Sequence, residues 1–211
     1  MIPIPERGIY LASRSPRRRE LLSQIGVRYH LLLFRERPRG GSSEPDIDEA
    51  PLAGEPPAAY VERMARAKAD AGWSRMLQRN LPPAPVLAAD TTVSFQERIL
   101  GKPRDRAEAA EMLAALSGQR HEVLTGVALK NYDQVEFALS SSEVVLKKLS
   151  DDDIAHYAAS GEGDDKAGAY AIQGRAGRFV MELRGSYSGV MGLPLYETSL
   201  LLEKLRGRNP Y

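Results

Sequence analysis

The chain has 211 residues, of which 43% are hydrophobic, enough for a sizeable core in one large domain or two closely joined lobes. Its 29 basic and 28 acidic side chains give a formal net charge of +1, which argues against a protein built mainly to bind nucleic acid. The absence of cysteine excludes disulfides, thiolate catalysis and cysteine-ligated zinc. No apolar run approaches the roughly 18 residues that span a membrane, and no signal-peptide pattern is present. We therefore expect a cytoplasmic protein without membrane or nucleic-acid partners.

The first predicted elements are a strand, a helix, a second strand and a long helix. "GIYLAS" is typical of a short buried strand, and Ser15 and Pro16 suit the cap and first turn of a helix that Gly26 ends. "VRYHLLLF" predicts the second strand, and a long loop rich in Pro, Gly and Ser follows it. The long helix is predicted from about Ala58 to Gln78.

The rest of the chain alternates hairpins with helices. "VLAADTTVSF" predicts a strand entering a hairpin through "QERILGKP", and "HEVLTGVALK" and "VEFALSSSEVVLKKL" predict two long antiparallel strands. Asp105 with Glu108, and Ser150 with Asp153, predict helix starts before and after these strands. "FVMELRGSYSGVMG" predicts a strand and then a loop, and "LPLYETSLLLEKL" predicts a final amphipathic helix. This order favours an α/β fold with a mixed sheet and flanking helices.

Positive charge is concentrated at the start of the first helix, in "SRSPRRR". Arg17 and Arg18 fall in the first helical turn, where each opposes the helix dipole at a cost of ~0.3–1 kcal/mol. The free N–H groups of a helix start, these guanidinium groups and the hydroxyl of Ser13 would together suit a bound phosphate. From local features alone, a solvated helix start is an equally good interpretation.

Asp90 ends the apolar run "VLAAD", at the kind of strand end where α/β proteins bind ligands. Its carboxylate could bind a divalent ion or activate a water beside the hydroxyl of Thr91, or it could simply cap a turn. Lys102 in "GKP" could return beside Asp90 after the hairpin. Lys68 falls on the apolar face of the long helix. Its side chain could extend outward to solvent or pair with a negatively charged group, and the local sequence favours the first interpretation.

Two further segments carry candidate polar groups. The small residues of "DDKAGAYAIQG" permit close backbone approach to a ligand, and they also suit a tightly packed bend. Within this segment Lys166 supplies a cation, and Gln173 supplies an amide suited to reading the edge of a base. Asp48 and Glu49 could add carboxylates, although a solvated acidic loop is the favoured local interpretation.

Together these pieces resemble the Maf family of nucleotide pyrophosphatases. The matching segments occur in family order over nearly the whole chain: "LASRSPRRRELL", "ARAKA", "AADTTV", "GKPRD", "LSGQRHEVLTGVAL", "DKAGAYAIQG" and "GSYSGVMGLPL". The resemblance implies one domain over residues 1–211, with a fold like that of the ITP pyrophosphatases and a cleft between two lobes of an elongated mixed sheet. It implies hydrolysis of nucleoside triphosphates to the monophosphate and pyrophosphate with Mg²⁺ or Mn²⁺, and assembly as a homodimer.

The resemblance also implies roles for single residues. Asp90 matches the family's general base, and Glu49 matches a position that helps to hold the metal together with Asp90. We expect Lys166 to be one of the substrate-binding residues. The positions that face phosphate are matched by Ser13, Arg17, Arg18, Lys68 and Lys102.

The substrate branch is indicated by Arg17, Thr91 and Gln173, which match the relatives acting on dTTP and UTP. The sister branch acting on 7-methyl-GTP has an aromatic residue in the first position and Glu in the last. A Gln can both donate and accept, which suits the O4/N3 edge of thymine or uracil. A 7-methyl-GTP pyrophosphatase and a nucleotide-binding regulator of septum formation are the alternatives. Segment Arg35–Ser43 departs from the family by its length and its three arginines.

Overall fold

The computed structural model describes residues 8–33 and 47–205, so segment Arg35–Ser43 lies outside the described residues. In chain order the elements are β1 (Ile9–Leu11), α1 (Pro16–Gln24), β2 (Tyr29–Leu31), α2 (Pro57–Gln78), β3 (Val86–Phe95), β4 (Arg98–Leu100), α3 (Arg106–Leu116), β5 (Arg120–Asn131), β6 (Gln134–Leu146), α4 (Asp151–Ser160), β7 (Val180–Arg184), α5 (Tyr187–Met191) and α6 (Leu195–Glu203). Two short 3₁₀ helices, Ala167–Ala169 and Arg175–Phe179, connect α4 to β7. Within these ranges no helix combines the length and the apolar character needed to cross a lipid bilayer.

The strands form one seven-stranded sheet in the order β2-β1-β3-β5-β6-β7, with β4 paired to β3. Strand β1 is parallel to β2 and β3, and the remaining pairs are antiparallel. The predicted α/β class with a mixed sheet and flanking helices is thereby confirmed. Strand β2 is shorter than "VRYHLLLF" predicts, because this edge strand has only the three residues of β1 to pair with.

Side-chain caps fix several helix starts. Asp105 accepts a hydrogen bond from Glu108 N and Ser150 accepts one from Asp153 N, as predicted. The loop predicted after β7 is wrong, because this segment contains the short helix α5. Its start is capped by Ser186, and it ends at Gly192, whose φ of 115° is unfavourable for other residues.

The hydrophobic core divides along β3, whose side chains alternate between the two faces of the sheet. Val86 and Ala88 pack in a cluster with α2, whereas Leu87 and Ala89 pack in a cluster with α1 and α6. Beyond them, Val93 belongs to a third cluster formed with α3, α4 and the segment before β7. Residues 90–92 of β3 therefore lie between the two clusters around residues 86–89 and the third cluster around Val93. The division of a single domain into two lobes stays a prediction.

Two glycines allow α2 to lie close to the sheet. A Cβ on Gly126, which pairs with Asp90 across β3 and β5, would lie 3.0 Å from Val61 O in α2 and 2.8 Å from the ring of Phe137. A Cβ on Gly72 would lie 2.7 Å from Val86 Cγ1. This close packing brings Lys68, near the middle of α2, to Asp90 in the middle of β3.

Candidate active site

Asp90 lies in the middle of β3 and forms a buried ion pair with α2. Its carboxylate Oδ1 accepts a hydrogen bond from Lys68 Nζ at 2.6 Å, and the same ammonium lies 2.6 Å from Glu49 Oε1. The favoured local interpretation of Lys68 as an outward-extended side chain is wrong, because the side chain is only 14% exposed and meets two carboxylates. Burial would lower the pKa of Lys68, but attraction to Asp90 and Glu49 outweighs it and the net shift is upward.

Glu49 connects this pair to Lys102, just after the β3–β4 hairpin. Its Oε2 lies 3.8 Å from Lys102 Nζ, and its backbone oxygen accepts a hydrogen bond from Tyr60 Oη at 2.9 Å. Burial would raise the pKa of Glu49, but Lys68 and Lys102 lower it overall. Asp48 is exposed and its carboxylate accepts a hydrogen bond from Ala50 N. Of the two acidic loop residues, only Glu49 therefore joins Asp90.

Arg18, Thr91 and Ser13 meet on the opposite face of β3. The guanidinium of Arg18 donates from Nε to Gly192 O at 2.7 Å, from Nη1 to Ser13 Oγ at 3.4 Å and from Nη2 to Thr91 Oγ1 at 3.3 Å. Burial lowers the pKa of Arg18, and the nearby charge of Asp90 opposes this shift. Arg18 is thus held by the protein itself, at the junction of α1, β3 and the end of α5.

Thr125 completes this arrangement, and the sequence analysis missed it. The residue is fully buried, and its hydroxyl donates to Gly189 O at 2.8 Å while lying 3.0 Å from Thr91 Oγ1. Because Thr125 uses its one proton on Gly189, Thr91 donates to Thr125 and accepts from Arg18. The available signal was a hydroxyl residue inside the apolar run "VLTGVAL", directly opposite Thr91 in the strand register.

The start of α1 keeps hydrogen-bond donors that have no side-chain cap. Ser15 occupies the cap position as predicted but makes no capping bond, and its own N–H donates to Ser13 Oγ at 3.2 Å. In the part of the chain that the structure describes, Arg17 Nε is buried without a hydrogen-bond partner. Burial lowers the pKa of Arg17, with opposing effects from Glu20 and Tyr157. This arrangement suits an anion at the helix start.

Lys166 and Gln173 lie outside the Asp90 cluster. Lys166 forms an ion pair with its neighbour Asp165. Gln173 is exposed, and its side chain makes no hydrogen bond within the described ranges. The structure therefore leaves Lys166 and Gln173 outside the cluster. The predicted residues that it brings together are Asp90, Lys68, Glu49 and Lys102, with Ser13, Arg18 and Thr91 on the opposite face of β3.

The charges of the cluster suit a polyanion. Lys68, Lys102 and Arg18 carry three positive charges against the two negative charges of Asp90 and Glu49. No group of three or more His, Asp or Glu side chains in the described ranges could hold a metal ion. Mg²⁺, however, is commonly bound by one or two carboxylates together with substrate phosphates. The two carboxylates sharing Lys68 fit a cation held jointly with a substrate.

Comparison with known proteins agrees with this chemistry. The Maf-like protein family matches residues 8–205. This chain belongs to the Maf family. Proteins named dTTP/UTP pyrophosphatase are 57% identical to it in Dechloromonas aromatica, covering 93% of this chain and 96% of the relative, and 56% identical in Aromatoleum aromaticum, covering 96% and 97%.

A third protein of that name, from Nitrosomonas europaea, is 56% identical over 93% of this Maf chain and 93% of its own length. Among solved structures, the Ham1 protein of Staphylococcus aureus aligns with 95% of this chain and 99% of its own, with a TM-score of 0.45 and 13% identity. The resemblance predicted from seven ordered segments is confirmed by the family match and by the three proteins named dTTP/UTP pyrophosphatase.

Proposed function

We propose that this Maf-family chain hydrolyses dTTP and UTP to the nucleoside monophosphate and pyrophosphate. The observation that carries the proposal is the Lys68 ammonium shared by Asp90 and Glu49 beside the uncapped start of α1. A carboxylate for water activation and a positively charged anion site are the two parts that such a hydrolysis needs. Relatives 56–57% identical over at least 93% of the chain carry the name of this activity.

The triphosphate binds at the positively charged groups around Asp90. Lys68 and Lys102 supply ammonium groups, and the uncapped first turn of α1 supplies N–H donors. Ser13 and Arg18, already bonded to each other, support this helix start as well as facing the phosphates. A divalent cation held by Glu49, Asp90 and phosphate oxygens would supply further neutralisation of phosphate charge.

Asp90 acts as the general base. Its carboxylate takes a proton from a water as the water oxygen attacks the α-phosphorus, and the bond from that phosphorus to the oxygen bridging to the β-phosphate breaks. The electron pair of that bond leaves with pyrophosphate, and Lys68 and Lys102 stabilise the negative charge that develops on it. Lys68 also orients the Asp90 carboxylate, through the hydrogen bond of 2.6 Å that its Nζ donates to Oδ1.

Base recognition falls to Gln173 with Arg17. Gln173 is exposed and free to bond, and its amide can donate to and accept from the O4/N3 edge of thymine or uracil. Lys166 lies seven positions before Gln173 on the same segment and contributes positive charge there. A homodimer and a cytoplasmic location are further parts of this proposal, carried over from the sequence and the family resemblance.

A substrate panel tests the proposal. Purified protein is incubated with dTTP, UTP, CTP or 7-methyl-GTP and with Mg²⁺ or Mn²⁺, and pyrophosphate release is measured beside the Asp90→Asn variant. We expect release from dTTP and UTP above the other two, dependent on the added cation and nearly abolished in the variant. Release from none of the four would contradict the activity. A preference for 7-methyl-GTP would instead assign the chain to the sister branch.

A further inference from the structure

The turn that carries Gln173 is held at both ends by two side chains from α4 and the residues just after it. Ala171 N, before Gln173, donates a hydrogen bond to Tyr157 Oη at 3.0 Å. Arg175 N, after Gln173, donates to Glu162 Oε1 at 2.8 Å. The Tyr157 hydroxyl in turn donates to the same Glu162 oxygen at 3.2 Å. Tyr157 and Glu162 form a Tyr157–Glu162 clamp, which fixes both sides of the turn through one connected set of hydrogen bonds.

The packing around the clamp leaves little room for movement. Tyr157 is 3% exposed and packs edge-to-face on Phe179, with ring centroids 5.7 Å apart. A Cβ built on Gly174 would collide with Glu162 Oε1, so glycine at this position lets the carboxylate lie against the turn. Gly174 N also donates to Ala171 O at 3.0 Å, which closes the turn on itself. The backbone on each side of Gln173 is therefore held while its side chain stays exposed.

Tyr157 also lies within electrostatic reach of Arg17. Burial raises the pKa of the Tyr157 phenol, and the positive charge of Arg17 acts against that shift. The Nε of Arg17 is buried without a partner in the described ranges. The Tyr157 hydroxyl is thus bonded to the turn that carries Gln173, and its phenol interacts electrostatically with Arg17 of α1.

We propose that the Tyr157–Glu162 clamp is a specificity-determining element that positions Gln173 for the pyrimidine base. This role rests on the proposed function, because it assigns to the clamp the discrimination between bases at the same site. An amide reads a base edge only when both of its hydrogen bonds are aligned, and alignment is lost when the supporting backbone is loose. The clamp touches neither Asp90 nor the phosphate-binding lysines, so its loss should weaken base recognition and spare the chemical step.

The kinetic test removes single hydroxyl groups. Tyr157→Phe deletes both hydrogen bonds of the phenol. Tyr10→Phe is the matched control, because within the described ranges the Tyr10 hydroxyl bonds only to Pro82 O, in the loop before β3. For Tyr157→Phe we expect KM for dTTP and UTP to rise roughly tenfold, kcat to stay within about twofold, and the preference over CTP to shrink. Tyr10→Phe should leave all three values unchanged. Glu162→Ala should reproduce the Tyr157→Phe effect, and Glu162→Gln, which keeps an acceptor, should largely restore normal values.

A second readout does not depend on turnover. Amide hydrogen exchange of residues 169–175 should be faster in Tyr157→Phe than in the parent protein and unchanged in Tyr10→Phe. Unchanged exchange, an unchanged KM and preference, or a fall in kcat as large as the rise in KM would overturn the role of the clamp while leaving the proposed activity intact. A parent protein that releases pyrophosphate from no nucleotide would overturn the activity and this role together.

Discussion

The two sides of the candidate site differ in how their polar groups are satisfied. Around Asp90, Lys68 bonds to both carboxylates at 2.6 Å. On the other side, Arg17 Nε is buried without a partner in the described ranges, and Gln173 is exposed. Groups that must be fixed for chemistry are held by the protein, whereas groups that must recognise a base keep donors for it. The two sides therefore have separate energetics and can be perturbed separately.

The chemical side should show the largest effect on rate. Asp90→Asn removes the proton acceptor and keeps the size of the side chain, so kcat for dTTP should fall by about 10²–10⁴-fold. Asp70→Asn is the control, because Asp70 is an exposed α2 carboxylate paired with Lys130. Pyrophosphate release measured on both variants checks the prediction. An Asp90→Asn rate equal to that of Asp70→Asn would remove Asp90 from the mechanism.

Replacing Lys68 should reduce the free energy of unfolding more than replacing Lys130, although the two side chains are similarly exposed. Lys68→Met leaves the buried Asp90 carboxylate without its cation and should lower the free energy of unfolding by about 3–5 kcal/mol. Lys130 has a side chain 16% exposed against 14% for Lys68, but its partner Asp70 is 54% exposed, so Lys130→Met should cost about 1 kcal/mol or less. Urea unfolding of both variants gives the comparison. Equal losses would show that the Lys68 pair is no more costly to break than a surface pair.

The support behind Asp90 can be tested with two fully buried threonines. Thr125→Val deprives Gly189 O and Thr91 of a partner and should lower the free energy of unfolding by about 1–3 kcal/mol. Thr198 has the same burial, but its hydroxyl finds no partner in the described part of the chain, so Thr198→Val should be neutral or stabilising. Thermal or urea unfolding decides between them. Similar values for the two variants would argue against the Arg18–Thr91–Thr125 arrangement as a stabilising feature.

A buried histidine that bonds to Tyr170, three positions before Gln173, makes a contribution to stability that depends on pH. Burial lowers the pKa of His121 from 6.5 to about 4, and its Nε2 lies 2.8 Å from Tyr170 Oη. Between pH 6.5 and 4 the imidazole of His121 is protonated in the unfolded chain and neutral in the folded protein. The contribution of His121 to the free energy of unfolding is therefore fully present above about pH 6.5 and decreases as the pH falls towards 4.

From pH 7 to 5.5 the His121 contribution to the free energy of unfolding should fall by about 1 kcal/mol. The measurement is urea unfolding of the parent protein and of His121→Gln at both pH values. The variant should lose less stability than the parent over this interval. Equal losses would mean that His121 does not titrate differently in the folded and unfolded states.

Much of the fold follows from local sequence patterns. The alternation in "HEVLTGVALK" and "VEFALSSSEVVLKKL", and the caps at Asp105 and Ser150, predicted elements that the structure contains. Helix α5 was missed because its five residues are too few to show helical periodicity, and the cap at Ser186 and the stop at Gly192 define it instead. Edge strand β2 was predicted too long, because its extent depends on its partner β1 and not on its own composition.

The site was predictable where a residue's own position carries the signal. Asp90 stands out at the end of an apolar run, but nothing local indicates that Lys68 bonds to it, since the two are separated by 22 positions. Glu49 was assigned only through the family resemblance, because an acidic loop gives no indication of which carboxylate turns inward. Tyr157 was missed because a buried tyrosine on a helix is ordinary, and only the tertiary structure shows its hydroxyl bonded to the Gln173 turn.

The separation of the two sides is tested most directly by steady-state kinetics of Asp90→Asn and Gln173→Ala with dTTP. The account predicts opposite signatures: Asp90→Asn loses kcat with KM within about twofold, and Gln173→Ala raises KM by roughly tenfold with kcat within about twofold. If both variants lose kcat alone, or both change KM alone, the chemical and recognition sides are not separate and the account is contradicted.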